Sequence, residues 1–461
     1  MSAAPSFSVA NTRVVVVGAA RSGVAAAELL VRRGAAVTLT DLRGSIDDGT
    51  RLRAAGVRLE LGEHREQTFV RADLIVLSPG VPPMQAALAH ARAAGVPVIG
   101  ELELASRWLR GRIVAITGTK GKSTTTTLTG RTLEAGGHRV LVGGNIGRAL
   151  SAQVDDSTED TIHVVEASSF QLETTDTFHP WIGVLLNFSP DHLDRHADIA
   201  EYAAAKARLF ANQTEADWAV LNGDDDASLA LARAARSRRV LFALERPLQE
   251  GVVIDAGAIV RRSASGEQAL VPLASIKLLG RHLLADVLAA AAVASLAGVD
   301  QAAMTRAVET FTGLEHALEP VATIGGVRFV NDSKATNVEA ALRAIQSVEN
   351  GLVVILGGRF KGGNFADLRA PLAERSARVV AIGEAAPLVH RALEPAVSVE
   401  DAADLGTAVR MAFTGARPGE TVLLAPACSS FDMFRDYADR GRVFKQEIAR
   451  LGQEWSSRVS Q

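Results

Sequence analysis

The sequence lacks two features that would point to particular protein classes: several cysteines and an excess of one charge. Its single cysteine, Cys428, excludes an internal disulfide and a metal site built from several thiolates. Lysine and arginine number 49, aspartate and glutamate 52, and the net charge is −3. Without an excess of positive charge, electrostatic attraction does not favour a nucleic acid or an anionic membrane as a partner. We therefore expect neither partner, and a reducing compartment.

The sequence also lacks a long apolar run and a targeting segment. The richest apolar stretch, residues 283–299, is mostly alanine and is interrupted by Asp286 and Ser295, so it does not provide the roughly 18–20 apolar residues that span a bilayer. The first residues, MSAAPSFSVANTR, have no basic start followed by an apolar core, unlike a signal peptide. These absences predict a cytoplasmic location and a buried helix over residues 283–299.

Length and composition predict several α/β domains. Apolar residues make up 48% and charged residues 22% of the 461 residues, as in globular proteins. At about 150 residues per domain, the length suggests about three domains. Short β-branched runs alternate with helical stretches, which is typical of parallel sheets covered by helices on both faces. The points where this pattern restarts predict domains at residues 1–100, 101–313 and 314–461.

Strand candidates occur in all three predicted domains. In the first, RVVVV and AAVTLTD enclose a helical stretch and indicate a βαβ unit. The second contains IVAITG, TIHVVE and WIGVLLNFS, and the third contains VRFVNDS, LVVILGG, ARVVAIG and TVLLAPA. Many of these runs end in polar residues, and open α/β sheets bind ligands at the carboxyl ends of their strands. We therefore expect the functional residues at these ends.

The run ITGTKGKSTTTT, after a predicted strand, indicates a phosphate-binding loop. Gly118 and Gly121 allow the backbone N–H groups to turn toward a phosphate beside a helix N-terminus. Lys122 is expected to reach the terminal phosphates, and Ser123 to place its hydroxyl on Mg²⁺. Ile116 takes the place of the first glycine of the strict G-x-x-x-x-G-K-[ST] pattern, so a polar loop that caps a helix is the alternative. The predicted ATP-binding residues here are Gly118, Thr119, Lys120, Gly121, Lys122, Ser123 and Thr124.

A second glycine turn, from Gly18 to Gly23, resembles the G-x-G-x-x-G turn of dinucleotide-binding domains. Ala20 replaces the middle glycine, and its Cβ hinders the close approach of a pyrophosphate. Asp41 lies about where a ribose-binding acid would lie. A dinucleotide, another nucleotide or diphosphate, and a plain βα turn without a ligand remain open on this evidence.

Three polar residues after the phosphate loop indicate a metal site. Glu166 ends the predicted strand IHVVE, His192 follows the next strand, and Lys206 lies in the helical stretch EYAAAKARLF. A single histidine is more often structural than a ligand. The positions of these residues at consecutive strand ends after a phosphate loop nevertheless favour a metal-binding group. Asp191 and Asp194 flank His192 and are candidates to orient its ring.

Seven short strings make the chain similar to the Mur ligase family. They are spread over the second and third predicted domains, and GGNIG, EASSFQLE and NDSKATN together are far more specific than a phosphate loop. The strings are GTKGKSTTT from Gly118, GGNIG from Gly143, EASSFQLE from Glu166, NFSPDHLDRH from Asn187, NDSKATN from Asn331, GGRFKGG from Gly357 and LLAPACSSFDMFRDYADRG from Leu423. Within the family, the chain resembles the members that add D-glutamate.

The resemblance implies a three-domain α/β fold. The N-terminal Rossmann-like domain would bind a UDP-substrate. The central P-loop-type domain, with a mainly parallel sheet, would bind ATP, and the C-terminal Rossmann-like domain would bind the amino acid. It also implies a monomeric, ATP-dependent amide ligase that joins D-glutamate to UDP-N-acetylmuramoyl-L-alanine in peptidoglycan precursor synthesis. The substrate carboxylate would attack the γ-phosphate of ATP, and the amine of glutamate would attack the resulting acyl phosphate. Such phosphoryl transfer needs positioning and charge neutralisation, which Lys122 and two Mg²⁺ ions would supply.

The resemblance also implies roles for matching residues. Ser123 and Glu166 would hold one Mg²⁺. His192 and a carbamylated Lys206 would hold the other, since an unmodified ammonium has no lone pair for a metal. The implied catalytic residues are Lys122, Glu166, His192 and Lys206. Further ATP contacts would come from Asp286 and Asp332. The UDP-substrate would be bound by Arg21, Ser22, Asp41, Arg43, Ser78, Asn145 and His192. D-Glutamate would be bound by Lys334, Thr336, Lys361, Ser430 and Tyr437.

The chain departs from the family pattern around the ATP site. The family's His-Asn-x-x-Asn run is His282-Leu283-Leu284-Ala285-Asp286 here, so Asp286 offers an acceptor to an adenine amino group but no amide donor. The family's His-Arg pair is His316-Ala317, which removes a guanidinium from the nucleotide. We expect an active enzyme with altered nucleotide contacts. Cys428 is expected to be a small buried residue, because an acyl-phosphate route needs no thiol.

Three other functions remain open. A sister ligase for L-glutamate or another acidic amino acid, or for a related UDP-muramoyl acceptor, would use the same residues, because Thr336, Lys361 and Ser430 do not determine chirality. An NAD-dependent oxidoreductase would use the N-terminal glycine turn. A nucleotide-binding regulatory protein would lack turnover. The broken glycine pattern counts against the second function, and the intact metal set against the third.

Overall fold

Three sheets form from the described strands, in the order in which the α/β pattern restarts along the sequence. The computed structural model describes residues 7–83, 85–192, 195–277, 281–348 and 351–459. These residues fall into two compact units that divide after Phe311. The first two sheets lie in the first unit and the third sheet in the second.

The first sheet is a doubly wound parallel sheet. Its strands are β1 (Arg13–Val17), β2 (Ala36–Asp41), β3 (Arg58–Leu61), β4 (Leu74–Leu77) and β5 (Val98–Gly100). Its helices are α1 (Arg21–Arg32), α2 (Gly49–Ala54), α3 (Glu66–Val70) and α4 (Ala86–Ala93). The strand order is β3-β2-β1-β4-β5, with all pairs parallel. The order changes direction between β1 and β4, which is where such sheets bind ligands.

The second sheet carries the phosphate loop. Its strands are β6 (Arg112–Thr117), β7 (Arg139–Gly144), β8 (Thr161–Glu166), β9 (Ile182–Leu185), β10 (Trp218–Asn222), β11 (Arg238–Phe242), β12 (Gly251–Asp255), β13 (Ala258–Ser263) and β14 (Gly266–Pro272). The strand order is β14-β13-β12-β11-β10-β9-β6-β8-β7. From β7 at one edge of the sheet to β12, all neighbouring strands are parallel. The pairs β12–β13 and β13–β14 are antiparallel. β6 is therefore flanked by β8 and β9, whose carboxyl ends lie beside the loop.

Helices surround this second sheet. They are α5 (Glu101–Ser106), α6 (Lys122–Ala135), α7 (Ser169–Leu172), α8 (Ile199–Ala207), α9 (Asp226–Leu231), α10 (Arg281–Leu296) and α11 (Gln301–Glu309). The helix predicted over residues 283–299 is α10, and its residues 286–294 are all buried, as expected from its alanine-rich sequence. Short 3-10 helices lie at Leu150–Ala152, Val154–Asp156, Arg208–Phe210, Leu273–Ser275 and Phe365–Leu368.

The third sheet is mainly parallel as well. Its strands are β15 (Glu319–Ile324), β16 (Val327–Asn331), β17 (Leu352–Gly357), β18 (Arg378–Ile382), β19 (Ser398–Asp401) and β20 (Thr421–Leu424). Its helices are α12 (Val338–Gln346), α13 (Arg369–Glu374), α14 (Ala386–Leu393), α15 (Leu405–Gly415) and α16 (Tyr437–Val459). The order is β15-β16-β20-β17-β18-β19, in which the β15–β16 pair is antiparallel.

The central strand β17 shows why helices cover both faces of the third sheet. Leu352, Val354 and Leu356 pack into one apolar cluster with residues of α12 and α14. Val353 and Ile355 point to the opposite face and pack with residues of α15 and α16. Alternate strand residues face opposite sides, so an uninterrupted apolar run needs a cover on each side. The predicted α/β class with mainly parallel sheets is confirmed. Across the described residues, we find no helix that is long and apolar enough to cross a membrane.

Candidate active site

The phosphate loop joins β6 to α6 and depends on glycine. Gly121, at the N-cap of α6, has φ +81°, and a Cβ there would collide with Oδ1 of Asp286. Lys122 begins the helix, and its Nζ donates hydrogen bonds of 2.9 Å to the carbonyl oxygens of Gly118 and Thr119. An amine and a helix N-terminus therefore lie together at the carboxyl end of β6, which suits a phosphate group.

Asn187, just after the neighbouring strand β9, fixes this loop, a role that the sequence had not revealed. Its Oδ1 accepts hydrogen bonds from the N–H groups of Thr119 (3.1 Å) and Lys120 (2.8 Å). Its Nδ2 donates to the carbonyl oxygen of Lys120 (3.1 Å). Two N–H groups of the loop are thus engaged by a side chain in this structure. The available signal was its position directly after the apolar run of β9.

Glu166, the last residue of β8, has one oxygen in use and one without a partner. Oε1 accepts a hydrogen bond of 2.8 Å from Nδ2 of Asn145. Oε2 is buried and has no hydrogen-bond partner in the described part of the chain. Buried polar atoms without partners are rare, because each loses its hydration without compensation. A cation at Oε2 would supply the missing interaction.

Lys206, on α8, is 1% exposed and lies directly behind the phosphate loop. Its Nζ donates a hydrogen bond of 2.8 Å to the carbonyl oxygen of Gly118, the same oxygen that accepts from Lys122. Nζ also lies 4.7 Å from the ring centre of Tyr202. Burial, and then the charge of Lys122, lower the pKa of Lys206 to about 7. An amine with this pKa is substantially neutral at physiological pH.

His192 lies near these groups with its ring accessible. The residue has φ +55°, and its side chain is 45% exposed. Its ring centre is 4.9 Å from that of Phe170 and 6.3 Å from that of Tyr202. Nε2 is 3.8 Å from Oδ2 of Asp191, which is too long for the predicted orienting hydrogen bond. Asp194, the other candidate, lies outside the described residues.

The predicted metal ligands come from four different chain segments. Ser123 lies half-buried in the first turn of α6, and Glu166, His192 and Lys206 follow in sequence. No cluster of three or more His, Cys, Asp or Glu side chains suited to a metal occurs within the described ranges. A metal here would therefore depend on the Ser123 hydroxyl and on Lys206. The unpartnered Oε2 of Glu166 fits a cation, whereas Lys206 fits one only after its amine is converted to an anion.

A cleft of about 390 Å³ lies at the switch point of the first sheet. Its volume is in the range of small-molecule sites, roughly 300–1,000 Å³. Its lining includes all the predicted UDP-substrate residues except His192, namely Arg21, Ser22, Asp41, Arg43, Ser78 and Asn145. Nη1 of Arg21 donates to the carbonyl oxygen of Gly147 (3.3 Å), so residues near the first and second sheets meet at this cleft.

Hydrogen bonds hold the acid and the serine of this cleft in place. Asp41 accepts from the N–H of Ala19 (2.7 Å) and from Nε (2.9 Å) and Nη2 (3.0 Å) of Arg43. The hydrogen bond from the Arg43 guanidinium, above all, holds the pKa of Asp41 well below its usual range. Oγ of Ser78 donates to the carbonyl oxygen of Gly18 (2.8 Å). The cleft is thus preorganised, with an anionic carboxylate beside a paired guanidinium.

Asp286 lies against the phosphate loop. The residue is 4% exposed, and its Oδ2 is buried without a hydrogen-bond partner among the described residues. Its Oδ1 faces the α-carbon of Gly121, at the N-terminus of α6. Burial raises the pKa of Asp286 well above its usual range. The carboxyl group is therefore held where a neutral, protonated form is favoured.

The predicted glutamate residues all lie in the second compact unit, after strands of the third sheet or at the start of α16. Lys334 and Lys361 are exposed, Thr336 is half-buried, Ser430 is buried and Tyr437 is 40% exposed. Asp332, two residues before Lys334, accepts a hydrogen bond of 3.1 Å from the N–H of Leu318, and burial raises its pKa to about 6. The structure therefore brings the carboxyl ends of β16, β17 and β20 together, as the sequence predicted for ligand-binding ends.

Family comparisons cover nearly the whole chain. The models that match are the Mur ligase MurD-like N-terminal domain at residues 12–100, the Mur ligase middle domain at 116–294 and the Mur ligase glutamate ligase domain at 318–428. The UDP-N-acetylmuramoylalanine–D-glutamate ligase of Acidobacterium capsulatum is 48% identical over 95% of this chain and 96% of that protein. The chain belongs to the Mur ligase family. The ligase of the same name from Solibacter usitatus is 45% identical over 95% of this chain and 98% of its own.

Solved structures agree with this Mur ligase fold. A UDP-N-acetylmuramate–alanine ligase of Thermotoga maritima has a TM-score of 0.58 at 18% identity, covering 95% of this chain and 100% of the other. A pseudomurein peptide ligase type C of Methanothermus fervidus has a TM-score of 0.57 at 18% identity, covering 96% and 100%. These similarities support the three-domain architecture of the family.

Proposed function

We propose that this Mur ligase joins D-glutamate to UDP-N-acetylmuramoyl-L-alanine with hydrolysis of ATP to ADP and phosphate. The observation that carries the proposal is the arrangement behind the phosphate loop, where Lys122 and Lys206 donate to the same carbonyl oxygen, that of Gly118. The similar proteins of Acidobacterium capsulatum and Solibacter usitatus carry this activity in their names. The reaction supplies peptidoglycan precursors, and we place it in the cytoplasm with a monomeric enzyme.

We assign one substrate to each predicted domain. Residues 1–100 would bind the UDP-substrate in the cleft of the first sheet, with Arg21, Ser22, Asp41, Arg43 and Ser78. Residues 101–313 would bind ATP through the phosphate loop and Asp286, and would add Asn145 and His192 to the UDP-substrate site. Residues 314–461 would bind D-glutamate through Lys334, Thr336, Lys361, Ser430 and Tyr437, and would present Asp332 to the nucleotide.

The chain's own groups suit the transfer of a phosphoryl group to a carboxylate. Lys122 would leave the carbonyl oxygens of Gly118 and Thr119 to neutralise the phosphates of ATP. Two Mg²⁺ ions, held by Ser123 and Glu166 and by His192 and carbamylated Lys206, would further neutralise the charge that develops on the phosphates. The neutral amine of Lys206 is the form that reacts with CO₂, so burial prepares this residue for the modification.

Phosphate release from purified protein tests the proposal. We expect release only when ATP, Mg²⁺, UDP-N-acetylmuramoyl-L-alanine and D-glutamate are all present. Lys122→Ala should abolish it, while Lys445→Ala, at an ion pair with Glu315 and Glu319, should leave it unchanged. A sister ligase would release phosphate with L-glutamate or another acidic amino acid instead. Release without any amino acid, or none with any combination, would refute the ligase assignment.

A further inference from the structure

A buried arginine lies beneath the proposed glutamate site. Arg440, in the first turn of α16, is 1% exposed and is the largest fully buried side chain among the described residues. Arginine is rarely buried to this extent without a specific set of partners, because its charge loses its hydration. The partners of Arg440 therefore indicate what the residue is for.

The guanidinium of Arg440 joins two loops. Nε donates to Oγ of Ser333 (2.9 Å) and Nη2 to the carbonyl oxygen of Ser333 (2.8 Å). Nη2 and Nη1 donate to the carbonyl oxygen of Cys428 (3.1 and 3.2 Å). Ser333 precedes Lys334, and Cys428 lies two residues before Ser430. One side chain thus ties the loop after β16 to the loop after β20.

Two further segments of the proposed site meet at the same place. Oγ of Ser333 donates to the carbonyl oxygen of Tyr437 (2.7 Å), which fixes the start of α16. Gly358, three residues before Lys361, packs against the guanidinium, where a Cβ would lie 3.3 Å from Nη1 of Arg440. All four chain segments that carry the five proposed glutamate residues therefore converge on Arg440.

The charge of Arg440 is only partly matched by a nearby anion: the carboxylate of Asp432 acts on it without a hydrogen bond, and burial outweighs that effect. In the described part of the chain its hydrogen bonds go to carbonyl and hydroxyl oxygens and none goes to a carboxylate. Burial lowers its pKa to about 10, so the group stays charged at neutral pH. A planar fork of N–H donors suits two carbonyl oxygens, but a buried cation with no carboxylate hydrogen-bonded to it is costly to the fold. An anionic ligand above the loops would offset this cost.

We propose that Arg440 is a positioning residue for the amino acid substrate: it holds the four segments of the site in register, and its incompletely compensated charge favours a ligand with a side-chain carboxylate. This inference rests on the proposed function. Arg440 is covered by the loops and acts through them, while Lys334 and Lys361 remain the exposed cations. The residue would therefore help the enzyme to prefer D-glutamate over its neutral isostere D-glutamine.

The test uses Arg440→Gln and Arg440→Lys in the full chain, with each substrate titrated separately. For Arg440→Gln we expect the KM for D-glutamate to rise at least about tenfold, and the KM values for ATP and the UDP-substrate to stay within about twofold. The preference for D-glutamate over D-glutamine in kcat/KM should fall at least about fivefold. Arg440→Lys keeps the charge but not the fork, so it should raise the KM while retaining most of the preference.

Arg375→Gln is the matched control. Arg375 is also largely buried and donates to backbone carbonyl oxygens, those of Val348 and Pro371, but it is not bonded to a segment of the site. It should leave the KM for D-glutamate and the preference over D-glutamine unchanged. If Arg440→Gln is insoluble, Arg440→Lys decides, and loss of preference in that variant would overturn the electrostatic role.

Other outcomes separate this inference from the proposed function. Wild-type protein that releases no phosphate with D-glutamate would refute the function itself. Active wild-type protein, together with an Arg440→Gln variant whose three KM values rise equally or whose preference is unchanged, would show that Arg440 only supports the fold. Equal effects of Arg375→Gln and Arg440→Gln would lead to the same conclusion.

Discussion

Lys206 should differ from an ordinary lysine in how readily it reacts with CO₂, because only the neutral amine is a nucleophile. Burial and the charge of Lys122 lower its pKa to about 7. At pH 8 an amine of pKa about 7 is roughly 90% neutral, whereas one of pKa 10.4 is about 0.4% neutral. The neutral fraction is thus about 200 times larger, which favours carbamate formation at this side chain over the other lysines.

The sign of the pH dependence follows from the lowered pKa. Below about pH 7 the amine binds a proton and cannot react, and above it the neutral form predominates. Carbamate formation consumes the neutral amine and releases a proton. With Mg²⁺ removed and the partial pressure of CO₂ held constant, the ratio of carbamylated to unmodified Lys206 should therefore rise about 100-fold per pH unit below about pH 7 and about tenfold per pH unit above it. Carbon-13 NMR with labelled CO₂ would measure it directly. The chain has only seven lysines, which makes assignment by substitution practical.

Two variants make this measurement decisive. Lys206→Ala should lose the carbamate signal together with phosphate release, and added bicarbonate should not restore either. Lys445→Ala should keep both, because ion pairs with Glu315 and Glu319 raise the pKa of Lys445 and keep it charged. A change of slope near pH 10 instead of pH 7, or near-normal turnover of Lys206→Ala, would refute the reasoning.

Further expected outcomes concern the loop, the buried acid and the metal. Asn187→Ala removes the hydrogen bonds to the N–H groups of Thr119 and Lys120, each worth about 0.5–1.5 kcal/mol, so the KM for ATP should rise about tenfold. An unchanged KM would show that the loop is stable without Asn187. For Asp286 the folded pKa is raised, so stability is lost as pH rises above the unfolded value. Asp286→Asn should therefore raise the melting temperature, with a gain that is smallest near pH 4 and larger at pH 8 in thermal denaturation; a gain independent of pH would contradict this. Chelation of Mg²⁺ should abolish phosphate release and leave the circular dichroism spectrum intact, and activity that survives chelation would exclude a metal requirement.

The sequence predicted many of the parallel strands, because buried strands are short β-branched runs such as RVVVV, which forms β1 without change of bounds. It did not predict others, such as the parallel strands β7, β10 and β11. The antiparallel additions β13 and β14 were not predicted. Their residues are more mixed in polarity, and several are half-buried or exposed. Such strands lack the continuous apolar signal of a strand that is covered on both faces.

The candidate site could be predicted in part, since local motifs place Lys122 at the start of a helix after β6, Glu166 at the end of β8 and Lys206 on a helix. What the motifs could not show is which atoms are already engaged. Asn187, in the segment after β9, holds the phosphate loop although it lies 68 residues from Thr119 in sequence. Arg440 joins Ser333 across 107 residues. These contacts depend on strand order and helix packing, which no local pattern encodes.

The departure at Asp286 takes on a different meaning once burial is known. From the sequence, aspartate at a position where the family has asparagine offers an acceptor but no donor. In the structure, burial raises its pKa well above the usual range, so the protonated form is favoured. A protonated carboxyl group has one O–H donor and one carbonyl acceptor, which resembles the amide of asparagine more closely than a carboxylate does. A protonated acid would also spare the phosphates of bound ATP a negative charge beside Gly121. The same burial that makes the carboxylate costly to the fold therefore brings this side chain closer to the amide that it replaces.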